Sequence, residues 1–176
     1  MKHIILSDYI KVLLNSADWY LERINHKDYD GIDKEAFVVS AIINSWSALE
    51  AFINYIASVA KYANRLSQHE RTFLNEMKLR IDDNGQFIEC REYYPTATKI
   101  LFLLNRFSSI SSKNFKQTKL WENVKISEDL RNNLIHPKES LSSASLNKGK
   151  AKLVNDTVKE AIKYLNNKTL KAKSII

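Results

Sequence analysis

Between Ala36 and Ala60 the chain runs twenty-five residues with a single charged side chain, Glu50. So long a stretch with so little charge has to be buried over much of its surface. Its serines, asparagines and two-faced pattern argue against lipid on every side, so a packed protein interior is the expected surrounding. At about 100° per residue, Val38, Ala41, Ile42, Leu49, Phe52, Ile53, Ile56 and Val59 form one broad apolar face. Ser40, Asn44, Ser47, Glu50, Asn54 and Ser58 gather on another. A plain solvent face would carry Lys and Glu. A polar but almost uncharged stripe instead predicts a face covered by another helix or by a second subunit, with Glu50 as a semi-buried carboxylate. The helix is expected over about Lys34 to Asn64.

The remaining chain repeats the helical pattern in shorter runs. Leu6, Ile10, Leu13, Leu14, Ala17, Leu21 and Ile24 predict a first helix over about Ser7 to His26. The loop Asp28 to Asp33 follows, with Asp33 as a candidate cap. Ser67-Gln68-His69-Glu70 matches a capping box and predicts a helix reaching about Arg80. Asn84-Gly85 between short apolar ends predicts a small hairpin or irregular excursion. Pro95 suits the first turn of a helix carrying Ile100, Leu101, Leu103, Leu104 and Phe107, and a serine-rich loop follows from Ser108 to Asn114. Further helices are expected over about Lys116 to Ile135 and Lys150 to Asn166. With three Gly and two Pro in 176 residues, little interrupts these runs. The fold class expected is all-α: an up-and-down bundle of about five to six helices with a short excursion in the middle. One domain covers residues 1–166, and a basic tail follows over 167–176.

Charge is concentrated at one end. From Ser145 to Ile176 there are eight lysines and two acids, so this segment carries six of the seven net positive charges. A lysine-rich end suits a polyanion such as RNA, and it equally suits a solvated terminal helix. Lys138, Lys148, Lys150 and Lys152 are the candidate RNA contacts. Cys90 is the single cysteine, which excludes a disulfide framework and a cysteine-based zinc site and fits a reducing, cytoplasmic setting. The first residues lack the pattern of a secretory leader, and no membrane association is expected. Neither a metal nor a cofactor is called for. There is no Walker-type loop, no HExxH and no Gly-x-Ser-x-Gly.

One six-residue stretch carries candidate chemistry: Arg131-Asn132-Asn133-Leu134-Ile135-His136, with Pro137 ending the helix. Arginine is a permanent cation suited to phosphate, and histidine moves protons near neutral pH. Cleavage of RNA by its own 2′-hydroxyl needs a base, a cation beside the charged transition state, and an acid for the leaving oxygen. Five helical steps put Arg131 and His136 about 140° apart on a regular helix, so they diverge unless Pro137 pulls His136 out of helical geometry. Asn132 and His136 share a face, which predicts a hydrogen bond orienting the imidazole. Arg and His are also common in last turns for reasons of helix electrostatics alone. Tyr93-Tyr94, beside Arg91, is a further candidate for base stacking, although adjacent tyrosines at a helix start are more often packing residues.

The Arg131 to His136 pattern resembles the motif of the HEPN superfamily (higher eukaryotes and prokaryotes nucleotide-binding): Arg, then a polar residue such as Asn, and His after four to six intervening positions. The segment Ser45 to Asn54 is similar to the second long helix of such domains, which tends to carry a polar or acidic residue facing the site. The likeness extends to helical content and order over most of the chain. It implies a metal-independent endoribonuclease that leaves a 2′,3′-cyclic phosphate, with Arg131 and His136 catalytic, Asn132 supporting them and Glu50 a polar neighbour. It also implies a homodimer whose two motifs meet in an interface cleft, and a toxin–antitoxin or anti-phage role with a possible antitoxin partner. Some HEPN domains cut nothing and only bind RNA, nucleotides or partners, so a non-catalytic binding or dimerisation module is the alternative. An unrelated helical bundle with a lysine-rich tail is the plainest option.

Overall fold

The structure, a computed structural model, describes residues 6–60, 66–137 and 146–170. Over these residues the chain is an all-α bundle of seven helices with one two-stranded hairpin. The order is α1 (Leu6–Arg23), α2 (Gly31–Ala60), α3 (Gln68–Leu74), β1 (Met77–Ile81), β2 (Phe87–Arg91), α4 (Thr96–Phe107), α5 (Ser112–Phe115), α6 (Lys119–Ile135) and α7 (Lys148–Leu165). A π-helical turn, Asn166–Leu170, continues α7. That turn packs against α4, and Leu170 lies against the core. The packed structure therefore reaches Leu170, beyond the expected domain end at 166. The last six residues of the expected tail lie outside the described residues.

α2 forms the axis of the bundle. It packs against α1, α4, α6 and α7, and Ile42, Trp46, Leu49, Phe52, Ile53 and Ile56 are fully enclosed. Burying each of these side chains favours the fold by about 1.5–3 kcal/mol. By length and composition alone α2 is apolar enough to cross a membrane. Here its apolar face is covered by the four neighbouring helices. Small residues set the closest approach: Ala41, Ser45 and Ala48 are fully buried, and Ser45 Oγ meets Asn155 Oδ1 of α7 at 3.2 Å. Most of the polar stripe is half-buried within the single chain, while Asn54 is exposed. Two members satisfy themselves on the helix: Asn44 donates to the Ser40 carbonyl, and Ser58 to that of Tyr55. Val59, placed on the apolar face, is largely exposed.

Helix starts follow the predicted chemistry with shifts of a few residues. α2 begins at Gly31 because Asp30, not Asp33, accepts the Ile32 and Asp33 N–H groups, at 2.9 and 3.1 Å. The capping box of α3 is complete: Ser67 Oγ accepts the Glu70 N–H, and Glu70 Oε2 accepts the Ser67 N–H. Thr118 caps α6 and Asn147 caps α7. The serine-rich loop holds a short helix, α5, capped by Ser111.

The largest departure from expectation follows the capping box. The predicted helix to Arg80 stops at Leu74, and Met77–Ile81 is a strand paired antiparallel with Phe87–Arg91, Leu79 facing Glu89 and Ile81 facing Phe87. Glu76 turns the chain out of the helix with φ of +55°, a left-handed conformation. The Asn84-Gly85 turn is present, Gly85 at φ +76° where an L side chain is disfavoured. Asp82 Oδ1 accepts N–H groups from Asn84 and Gln86, which braces the turn and lowers the Asp82 carboxyl pKa, the Gln86 bond being the larger cause.

Candidate functional site

The end of α6 and the segment between the hairpin and α4 form the walls of one open groove of about 780 Å3. Asp129, Asn132 and Asn133 fall within about a 100° arc of an ideal helix, so α6 presents them as one face, and His136 joins them just past its end. Arg131 and Ile135 flank this face, and Tyr93 stands on the opposite wall. α6 ends at Ile135, and His136, at φ −127° and ψ 66°, has left helical geometry just before Pro137. Its N–H still reaches the Asn132 carbonyl at 2.8 Å. Arg131 and His136, which an unbroken helix would point apart, thus line the same groove.

Arg131 is held from behind. Its Nη2 lies 3.5 Å from Glu50 Oε1, its side chain is 19% exposed, and that of Glu50 is 29% exposed. The same Glu50 oxygen accepts Trp46 Nε1–H at 3.0 Å, one turn back on α2, and the Thr96 hydroxyl at 3.3 Å, at the start of α4. Glu50 is therefore a fixed acceptor that orients the guanidinium, as expected of a semi-buried carboxylate beside the motif. Asn132 acts differently from expectation. Its Oδ1 accepts from Arg131 Nη1 at 3.1 Å, so its side chain supports the arginine, and its link to His136 is through the backbone carbonyl.

A second carboxylate locks the wall in place. Pro95 sits at the N-cap of α4, outside the helix proper, and no side chain of its own caps that helix. Glu128 supplies the cap from α6: Oε1 accepts the Ala97 N–H at 3.1 Å, and Oε2 pairs with Lys125 at 2.5 Å. Glu128 is only 5% exposed, which ties α6, one turn before Arg131, to the start of α4. Glu50 and Glu128 together fasten α2, α4 and α6 at one point behind the groove.

Tyr93, a base-stacking candidate from the sequence, lines the groove, as does Asp129, which the sequence did not single out. Its phenol pKa is raised above the ordinary value by partial burial first, then by the charge of Glu50, with Arg131 opposing. The phenol is thus within electrostatic reach of the Arg131–Glu50 pair. The sequence signals for this wall were faint. Trp46 lies four residues before Glu50, on the same helical face. Pro95 holds Tyr94 extended, so neighbouring tyrosines point to opposite sides. Nothing local flagged Glu128 or Thr96.

The lysine candidates lie elsewhere. Lys138 falls outside the described residues. Lys148 and Lys152 line a second groove between α1 and α7, together with Asp18, Asn155 and Lys159, and no residue of it lines the first. There Lys159 pairs with both oxygens of Asp18 at 2.6 and 2.8 Å, Asn155 donates to Asp18 at 2.7 Å, and Lys152 pairs with Asp156 at 2.9 Å. Lys150 contributes its backbone N–H to the Asn147 cap of the same helix. Among the described residues, no group of three or more His, Cys, Asp or Glu is placed to hold a metal ion.

Comparison with protein-family models, curated proteins and solved structures finds no match to this chain.

Proposed function

We propose that this chain is a metal-independent endoribonuclease of HEPN type, working at the groove lined by Arg131, Asn132 and His136. The supporting observation is their common groove, with Glu50 bracing the arginine from behind. A phosphodiester of RNA seated there would meet a permanent cation and a proton carrier together. The 2′-hydroxyl oxygen attacks the adjacent phosphorus as a base removes its proton. Arg131 stabilises the charge gathering on the non-bridging oxygens. An acid protonates the departing 5′-oxygen, leaving a 2′,3′-cyclic phosphate and a 5′-hydroxyl end. His136 fills one proton-transfer role per chain, and a homodimer would bring a second imidazole for the other. A toxin restrained by an antitoxin, or an anti-phage factor, is the cellular role this activity fits.

One feature favours a second reading, RNA binding without cleavage. Asn132 and Glu50 already engage both terminal nitrogens of Arg131, and a phosphate has to compete for them.

The test incubates wild type, Arg131→Ala and His136→Ala with single-stranded RNA in EDTA. Wild type is expected to shorten the RNA to cyclic-phosphate ends, and both variants to lose this. A 2′-deoxy substitution at the cut nucleotide blocks cleavage by wild type. Cleavage persisting in both variants removes the assignment, and binding without cleavage by wild type selects the second reading.

A further inference from the structure

We infer that Tyr93 is a stacking platform for an unpaired nucleobase, so the RNA taken by the groove is single-stranded beside the phosphate held at Arg131. The inference rests on the nuclease reading and names its substrate class.

The local sequence builds a rigid arm for this ring. Past β2, the Glu92 N–H continues the ladder to the Glu76 carbonyl at 2.9 Å, and Glu92 pairs with Lys78 at 3.3 Å. Pro95 disfavours helical geometry at Tyr94, so residues 92–95 stay extended and successive side chains alternate. Tyr94 takes the inward side, its ring 4.5 Å from that of Phe73, which in turn meets Phe102 at 4.7 Å. Tyr93 must then face out, and it is 68% exposed on the groove wall. Immediately afterwards Thr96 is tied to Glu50 and Ala97 to Glu128. The backbone that carries the ring is thus fixed at both ends of a short extended segment, which lowers the entropy cost of ordering it on binding.

One cation already lies within reach of the ring. Lys99 Nζ lies 5.9 Å from the Tyr93 centroid, and Lys99 is paired with Glu76 and only 14% exposed. Tyr93 as a whole is still 68% exposed, so ring surface remains for a ligand. An exposed aromatic face across the groove from a guanidinium is what an unstacked base and its phosphate require. Bases stack on such rings in a sequence-tolerant way, and paired bases inside a duplex cannot reach them.

The experiment uses the full chain and a labelled single-stranded RNA whose 2′-hydroxyls are replaced by fluorine, which binds but cannot be cut. Fluorescence anisotropy is expected to show Tyr93→Leu weakening this oligonucleotide on the order of tenfold, with Tyr93→Trp retaining affinity within about twofold. A 2-aminopurine in the oligonucleotide is expected to be quenched by wild type and not by Tyr93→Leu. A duplex of the same sequence should be insensitive to the change. Thermal melts check that Tyr93→Leu folds as wild type does. If Arg131→Ala weakens binding and Tyr93→Leu does not, the platform is wrong and the groove assignment survives. If no oligonucleotide binds wild type, both fall together.

Discussion

Two of the polar grooves, the one at the end of α6 and the one between α1 and α7, differ in how their charges are satisfied. The groove between α1 and α7 carries three lysines, and the one at the end of α6 carries a single arginine and a histidine. By charge count the lysine groove is the better anion site. Its contacts say otherwise: Asp18 faces Lys159 and Asn155, Asp156 faces Lys152, and Asn155 also reaches the buried Ser45. These partners hold α1, α2 and α7 together. In the α6 groove Glu50 and Asn132 orient Arg131, while Asn133, His136 and Tyr93 stand exposed toward one space. A site for a ligand is marked less by charge than by oriented polar groups left facing solvent.

The largest test of this contrast is catalytic. His136→Ala and Arg131→Ala are each expected to lower single-turnover RNA cleavage by about 10²–10⁴-fold; exposed His136 should leave the melting curve close to wild type, while Arg131→Ala should lower it modestly by leaving half-buried Glu50 without its cation. A tenfold effect or less, measured under saturating protein, would place the chemistry outside this groove.

Glu128→Ala separates the wall from the chemistry. It removes a buried charged acceptor from the Ala97 N–H and frees Lys125, and should lower stability by about 2 kcal/mol in urea titration. Cleavage by the folded fraction should stay within about threefold of wild type, since Glu128 fastens α6 to α4 and does not line the groove.

Glu50→Gln sharpens the bracing role. The amide oxygen can still accept from Trp46 and Thr96, while the charge beside Arg131 is gone. RNA affinity is expected to rise about threefold, with a salt dependence steeper by about one phosphate contact. The cleavage rate should fall on the order of tenfold as the guanidinium loses its fixed direction. Affinity and rate falling together would mean that Glu50 matters to folding and not to orientation. The phenol of Tyr93 gives a pH test. Its pKa is raised by burial and by Glu50, so the fold disfavours its ionisation and stability declines as pH rises past the ordinary phenol value. Tyr93→Phe should remove that part of the alkaline decline.

The bundle was legible where one element decides its own structure. The apolar period of α1, α2 and α4 and the Ser67–Glu70 box are local signals, and each produced its helix. Met77 to Arg80 reads as helix because Met, Lys, Leu and Arg are good helix formers, yet it is strand. Pairing with Phe87–Arg91 and the turn at Glu76 overrode that preference. The site divides the same way. That Arg131 and His136 sit at the end of α6 and that Glu50 is half-buried was readable from residue type and spacing. Asn132's partner was not, because a shared face permits a bond to His136 without favouring it over one to Arg131. Glu128 was unreadable because its partner Ala97 is thirty-one residues away in sequence. Charge counting could not show that Lys148 and Lys152 line a different groove from Arg131, because that depends on how α1 packs on α7.

Lys152→Ala is the smallest predicted effect and the one best placed to overturn the contrast. Lys152 and Asp156 are an exposed pair one turn apart, with side chains 64% and 57% accessible. Such pairs are worth about 0.3–0.5 kcal/mol, so the melting temperature should barely move. If the α1–α7 groove is structural, RNA affinity should also stay within about twofold, the change expected from losing one distant charge. A tenfold loss, with affinity falling steeply as salt rises, would show that RNA displaces Asp156 and tracks α7. The count of lysines would then outrank the satisfaction of their charges, and the RNA path would have to include both grooves.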